Sequence, residues 1–273
     1  MKTLVALPKT GASVQFIEQT FRRTDWFGPA ELHTAFGVDT NVPPTPALFS
    51  ETVLGRAIQM DCCIVLQHDQ NLDGKPLTLE LLHKGRKNKD FLDGTFLYDI
   101  GWYCKEPLFT KHAPRPGLFI KGRSIIPEST GKTFVGESLI AADFVEKLFG
   151  DELPEQYGTA IEELRANADR LDKLCGTDWK EAARQCVALE FSRLFRETPV
   201  EVLYRILLAQ KVNRERLFER IYTRTNDLSA GGCVVDVGGA DADGALLYRW
   251  LPDRASGLLG FSFSCSGELE PAS

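Results

Sequence analysis

Residues 126–133, with the sequence IPESTGKT, carry the residue types of a phosphate-binding loop. They follow a predicted strand and precede a predicted helix, which is the context that such a loop requires. Lys132 and Thr133 would then contact the phosphates and a magnesium ion. The motif, however, requires a glycine where Ile126 stands, and Pro127 removes one amide from the cradle. A nucleotide-dependent enzyme is therefore one hypothesis, and a plain turn ahead of the helix is the alternative.

Cysteine and histidine side chains offer a second kind of chemistry, nucleophilic or metal-binding. The seven cysteines and four histidines form no CxxC pair and no spacing typical of a metal site. His68 and His112 lie in polar segments, and Cys104 lies near Trp102 and Tyr103. Folding could still bring a cysteine and a histidine from distant segments together as a catalytic pair, and this alternative stays open. Isolated cysteines are more often small buried hydrophobes. An odd count that includes the adjacent Cys62 and Cys63 favours reduced thiols over a disulfide framework.

Three aspartates near the C-terminal end, Asp236, Asp241 and Asp243, raise the question of a calcium site. Alternating aspartates beside glycine bind calcium in some loops, but the later glutamate of an EF-hand is missing. Asp243 followed by Gly244 is typical of the turn in a β-hairpin. We therefore predict a hairpin at this position, and we assign no metal and no cofactor.

The segment of residues 245–263 combines large apolar and basic side chains with short β-type runs. Alternation along the first run places Leu247 in the core, together with Leu259, Phe261 and Phe263 of the returning run. An ordinary sheet edge is one interpretation, and a binding surface on rigid strand ends is the other. The side chains left facing solvent are Leu246, Tyr248, Leu251, Arg254, Ser256 and Leu258.

The composition is that of a folded globular protein. With 273 residues, 43% hydrophobic and 26% charged, the chain can bury one large core or two small ones. The net charge of −6 argues against nucleic acid and acidic membranes as partners. The first apolar run is too short for a secretory signal, and no run approaches the length of a membrane span. We therefore expect a cytoplasmic protein without a membrane span.

Two kinds of segment must position these side chains. Up to residue 135 short strands, short helices and proline-rich loops alternate, whereas residues 136–222 are predicted to form a helical block, because caps and helical spacing are readable there. In the first part, helices are predicted at 49–60 and 78–83, strands at 4–7, 64–66, 95–100 and 118–126, and an extended loop at 41–46. In the block, helices are predicted at 136–149, 154–175 and 179–196, from Pro199 onward, and at 214–222.

The C-terminal residues also carry a family resemblance. The order Tyr222-x-x-Thr225, Ser229-x-x-Gly232, Asp241-x-x-Gly244, Pro252, and 259–264 resembles the end of a C-type-lectin-like domain of the formylglycine-generating-enzyme type. It is similar, more closely, to the variable proteins of diversity-generating retroelements. Trp102-Tyr103, Ile126-Pro127 and Thr198-Pro199-Val200-Glu201 also fit, so the resemblance spans residues 76–264.

This resemblance implies an α+β protein with an irregular C-type-lectin-like fold, the helical block 136–222 and C-terminal antiparallel strands. Residues 1–75 would be an N-terminal segment of unknown role. Residues 76–273 would be the lectin-like domain, with a variable region at about 239–264. The implied function is recognition of an unidentified protein or glycan ligand, not catalysis, in a bacterial or phage protein. A phage-derived structural protein is a further hypothesis.

In that family, reverse transcription with adenine mutagenesis substitutes the C-terminal surface at asparagine-type template codons. Trp250 cannot be reached from such a codon by changing adenines, which predicts a fixed scaffold residue. Each residue type in the ligand-binding set can be reached. Carried over by position, this set is Leu246, Tyr248, Arg249, Leu251, Arg254, Ser256 and Leu258.

Overall fold

The computed structural model describes residues 11–41, 49–84 and 96–267. These residues form an α+β fold in which helices pack on two four-stranded sheets, which confirms the predicted fold class. The predicted strand at 4–7 lies outside the described residues, as does nearly all of the predicted loop at 41–46.

The helices begin where the sequence offers caps. The side chains of Ser50 and Asp178 accept backbone amides at the starts of their helices, and Glu201 accepts the amide of Thr198. Short 3-10 turns occur at Ile100–Trp102 and Gly150–Glu152. The helices are α1 (Val14–Thr20), α2 (Pro29–Phe36), α3 (Glu51–Gln59), α4 (Leu79–Lys84), α5 (Pro107–Thr110), α6 (Phe134–Phe149), α7 (Glu155–Cys175), α8 (Trp179–Ala188), α9 (Glu190–Phe195) and α10 (Pro199–Asn213).

The strands form two sheets of mixed direction. The strands are β1 (Trp26–Phe27), β2 (Cys62–Gln67), β3 (Gly117–Ile125), β4 (Tyr222–Leu228), β5 (Val234–Asp241), β6 (Gly244–Trp250), β7 (Leu259–Gly260) and β8 (Ser262–Ser266). The first sheet has the order β1-β2-β3-β8 and the second the order β6-β5-β4-β7. Only the β1–β2 and β4–β7 pairs of these two sheets are parallel, so most of the C-terminal strands pair antiparallel, as predicted.

The chain crosses from one sheet to the other at Phe261. The β-type run that holds Leu259, Phe261 and Phe263 is therefore divided, because β7 pairs with β4 in the second sheet and β8 with β3 in the first. The Phe261 amide donates to Ser129 Oγ (3.0 Å), and its carbonyl accepts the amide of Ile126 (2.8 Å). Gly260 permits this close crossing, since a Cβ there would overlap Ile125. These contacts fix the crossing on both sides.

The predicted core side chains lie in the core. Leu247, Leu259, Phe261 and Phe263 are all buried. On α7, helical spacing places Ile161, Leu164, Ala168, Leu171 and Cys175 on one side, and all five are buried. α10 is buried along nearly its full length. α10 lies against α2, β4 and β5, and its two buried charged side chains are paired, Glu201 with Arg115 and Arg205 with Glu197.

Three predicted elements are wrong: the strand at 95–100, the helix at 214–222 and the unbroken helix at 179–196. The described part of the strand at 95–100 makes a single bridge, from Leu97 to Ala245, before Asp99 adopts a left-handed conformation. The helix predicted at 214–222 does not form, because Arg214 is also left-handed (φ 58°) and ends α10. The chain then turns inward to bury Leu217 and Phe218.

The helix predicted at 179–196 is broken into α8 and α9 at Leu189, which has an extended conformation. A carboxylate oxygen of Glu163 in α7 accepts the amide of Glu190 (3.1 Å). The Ser192 hydroxyl donates to the carbonyl of Cys186 (2.7 Å), which the break leaves without a helical partner. Tertiary contacts therefore stabilise this break.

The N-terminal segment shares a sheet with the rest of the chain. β2 pairs with β3 along its whole length, and one hydrophobic core contains side chains from both sides of residue 75. The division of the chain at residue 75 stays a prediction. Within the described ranges, no helix is both long enough and apolar enough to cross a bilayer.

Candidate functional site

Trp250 lies at the end of β6 between two surface grooves. The first groove has a volume of about 180 Å³ and the second one of about 490 Å³, and Trp250 lines both. We call Trp250 and the two grooves the Trp250 face. The first groove is lined by Tyr222, Tyr248, Trp250, Ser256, Leu258 and Leu259. The second groove is lined by Cys233, Arg249, Trp250, Leu251, Asp253, Arg254 and Ala255.

The Trp250 face collects most of the side chains that the sequence assigns to ligand binding. Only Leu246 lines neither groove; it is half-buried beside Gly239. Three apolar members are exposed to solvent, with Tyr248 at 51%, Leu251 at 37% and Leu258 at 59% of their full accessible surface. The prediction of an outward-facing side chain is therefore confirmed for these three, whereas Leu246 and Ser256 are half-buried. The role of the set in ligand binding stays a prediction.

Aromatic rings hold the two arginines of the Trp250 face. The Arg254 guanidinium lies 4.7 Å from the centroid of the Trp250 ring, whose other neighbour is the Tyr248 ring at 5.5 Å. Arg249 lies 4.7 Å from the Trp102 ring, and the indole N–H of Trp102 donates to the Leu247 carbonyl (3.3 Å). Stacked guanidinium groups lose little further freedom when a ligand binds.

Residues 251–258 form no regular element, and hydrogen bonds nevertheless hold their backbone. Two of these bonds are local, from the amide of Arg254 to the Leu251 carbonyl and from that of Leu259 to the Ser256 carbonyl. Groups outside the loop supply further donors to its carbonyl oxygens. These bonds run from Phe134 N to Pro252 O (2.8 Å), from Gly131 N to Ser256 O (2.9 Å) and from Tyr222 N to Leu258 O (2.7 Å).

A buried arginine supports the same loop from beneath. Arg224 in β4 is 1% exposed, and its guanidinium donates to the carbonyl oxygens of Arg254 and Lys132 and to the carboxylate of Glu137. Sequence reasoning assigned no role to Arg224. A single arginine in a strand carries no signal in itself, because its partners lie on other elements.

Backbone amides at the end of the 126–133 segment bind the 251–258 loop, whereas the phosphate-binding hypothesis has them bind a phosphate. The amide of Gly131 and that of Phe134 both donate to carbonyl groups of the loop. Thr133 caps α6, since its hydroxyl accepts the amide of Gly136 (3.0 Å). These amides are among the donors that a bound phosphate would need. Their use within the chain favours the turn over the nucleotide-binding interpretation.

The candidate cysteine and histidine residues have separate partners. His68 Nδ1 lies 2.8 Å from the Tyr204 hydroxyl, and burial lowers the pKa of His68 to about 4. His112 pairs with Asp227 at 3.0 Å, and this hydrogen bond raises the pKa of His112. The Cys104 thiol donates to the carbonyl of Gly101 (3.8 Å). No cysteine–histidine pair therefore forms from these three.

The three candidate aspartates do not converge on a metal site. Asp241 accepts the amide of Asp243 (2.9 Å) in the predicted hairpin turn, where Gly244 adopts φ 116°. Asp236, on the same strand as Asp241, is fully buried. Among the described residues, no group of three or more metal-ligating side chains occurs. The hairpin interpretation of this segment is confirmed.

The fold and the Trp250 face together define an α+β protein with an exposed aromatic and basic surface on a hydrogen-bonded backbone. No family model, curated protein or solved structure matches the chain. The likeness to retroelement variable proteins therefore rests on the sequence motifs alone.

Proposed function

We propose that this protein binds a protein or glycan ligand through the Trp250 face, and that the side chains of this face vary while its backbone stays fixed. One observation carries the proposal. The carbonyl oxygens at positions 252, 254, 256 and 258 each accept a hydrogen bond from outside the loop, while Tyr248, Leu251 and Leu258 project into solvent.

Such a surface tolerates exchange of its side chains for a physical reason. The bonds that reach the 251–258 loop from outside end on backbone oxygens, which every residue type possesses. Within the loop, the Ser256 hydroxyl also accepts the amide of Leu258 (3.3 Å). Substitutions at exposed positions that make no buried contact change stability by only about 0.5 kcal/mol. The shape of the loop therefore depends mainly on bonds to its backbone, which is the property that a diversified recognition surface requires.

The composition of the Trp250 face supports recognition. Tyrosine, tryptophan and arginine are the residue types that contribute most of the energy of protein interfaces. The face offers Tyr248, Trp250 and two stacked guanidinium groups around two shallow grooves. A groove of about 180 Å³ admits a single side chain or one sugar unit, not a large cofactor.

The DNA that flanks the coding sequence tests the proposed diversification. We expect a near-copy of the codons for residues 240–264, beside a gene for a reverse transcriptase, that differs from them only at adenines. The differences should include the codons of Tyr248, Leu251 and Leu258 and should leave Trp250 unchanged. Flanking DNA without such a copy, or a copy whose differences fall on Trp250 and the core positions, would contradict the proposal.

A further inference from the structure

Arg224 joins three segments that are far apart in the sequence. One terminal nitrogen donates to Glu137 Oε2 in α6 and to the carbonyl of Lys132 (3.2 Å), just ahead of that helix. The other terminal nitrogen donates to the carbonyl of Arg254 in the 251–258 loop. The side chain is fully buried, so this is an internal connection.

We propose that Glu137 and Arg224 form a buried strut that positions the 251–258 loop, so that Arg224 is a positioning residue of the Trp250 face. The value of this device for ligand binding rests on the proposed function. The positioning itself is a property of the free chain and is measurable without a ligand.

The geometry calls for a guanidinium group. Its planar fork carries five N–H donors in fixed directions, so that one side chain can bind a carboxylate and two carbonyl oxygens together. The second oxygen of Glu137 accepts a hydrogen bond from Arg196 (2.7 Å), which holds the carboxylate in place. A lysine has a single terminal nitrogen, which cannot bind both the Glu137 carboxylate and the Arg254 carbonyl in this geometry. An apolar side chain leaves the carbonyl groups of Lys132 and Arg254 without this donor.

An ion pair with Glu137 does not by itself account for this arrangement. Replacing buried ion pairs by apolar side chains of similar volume is often neutral or stabilising. What an apolar side chain at position 224 cannot do is bind the carbonyl oxygens of Lys132 and Arg254. The hydrogen bond to the Arg254 carbonyl is therefore the contact that requires an arginine at position 224.

Hydrogen exchange of the free protein, followed by mass spectrometry, tests the strut. In Arg224→Met, we expect the hydrogen-bonded amides of Arg254, Leu259 and Gly131 to exchange about tenfold or more faster, since a hydrogen bond from a charged donor to the loop is lost. The amides of α7 and β3 should change much less. Loop amides that keep the wild-type rates in Arg224→Met would overturn the proposal.

Arg196→Met provides the matched control. Arg196 is equally buried and binds the same Glu137 carboxylate, and its other bonds go to the carbonyl oxygens of Phe134 and Arg224 and to Ser138. It makes none to the 251–258 loop. Exchange in this variant should rise without preference for the loop. An equal, loop-selective rise in the exchange rates of both variants would contradict the proposal. It would show that removal of either arginine bound to Glu137 loosens the loop, whether or not that arginine contacts it.

Arg224→Lys keeps the test decisive if the methionine variant does not fold. It retains a positive charge beside Glu137 and removes the fork. We expect a folded protein with faster exchange in the loop. A lysine variant with wild-type loop exchange would overturn the proposal, because the charge alone would then be sufficient. A lysine variant that also fails to fold would overturn it as well, because position 224 would then serve folding alone. Because no ligand enters, a failure of ligand binding leaves these outcomes unchanged.

Discussion

Asp236 carries a carboxyl group that is fully buried, and neither of its oxygens has a hydrogen-bond partner among the described residues. Burial raises the pKa of Asp236 well above its ordinary value of 3.8, against the lowering effect of the nearby Arg224. The folded chain therefore keeps a proton on this side chain at pH values where the unfolded chain has released it.

This proton makes the stability of the fold depend on pH. Between 3.8 and the raised pKa the folded chain binds more protons than the unfolded chain, so the free energy of unfolding falls as the pH rises. Below 3.8 the contribution is fully present. We expect Asp236→Asn to stabilise the protein more at pH 8 than at pH 5, as measured by urea unfolding. The same substitution at the exposed Asp253 is the control, and an equal effect of the two at both pH values would contradict the account.

At the scale of single residues, the sequence predicts exposure well where a strand alternates. Leu247 is buried and Tyr248 is exposed, because successive side chains of β6 point to opposite faces. Arg249 escapes this rule: it shares a face with Leu247 and is nevertheless exposed, stacked on Trp102. The roles of Trp102 and Arg224 depend on contacts between distant segments, which a single sequence does not encode in its spacing.

At the scale of elements, the crossing between β7 and β8 sets the end of the 251–258 loop. Gly260 lies where the chain leaves the second sheet, and a Cβ there would meet the side chains of Ile125, Ser129 and Thr130. Gly257, three residues earlier, has open space around it. The two glycines therefore form a natural pair for comparison.

We expect Gly260→Ala to lower the free energy of unfolding by about 1–3 kcal/mol, because the added methyl group overpacks the crossing. Gly257→Ala should change it by no more than about 0.5 kcal/mol. Chemical denaturation of the two variants and the wild type measures both values. Similar values for the two variants would show that the crossing adapts and does not fix the loop.

Caps and periodicity predict the helices that depend on local residues. Ser50, Asp178 and Thr198 mark the starts of α3, α8 and α10, because each motif binds amides that the first turn leaves free. The break between α8 and α9 is not local, since it depends on Glu163 of another helix. Local residues therefore do not predict helix ends that depend on such contacts.

At the scale of the whole molecule, the Trp250 face is assembled from parts that the sequence keeps far apart. β6 and the 251–258 loop present the side chains, β4 lies beneath them, and the turn ahead of α6 supplies backbone donors. The α+β class is what the family resemblance implies, and the structure confirms it. The contact between the 251–258 loop and this turn exists only in the tertiary structure. For this reason residues 126–133, taken by themselves, resemble a phosphate-binding loop.

The central claim is that the outward side chains of the Trp250 face can be exchanged without loss of the fold. The most direct measurement is the free energy of unfolding of a variant with Tyr248, Leu251 and Leu258 all replaced by alanine. We expect it to lie within about 1.5 kcal/mol of the wild type, as for three surface substitutions. Leu247→Ala, on the buried face of the same strand, should lose about 2–5 kcal/mol. A triple variant as destabilised as Leu247→Ala would contradict the claim.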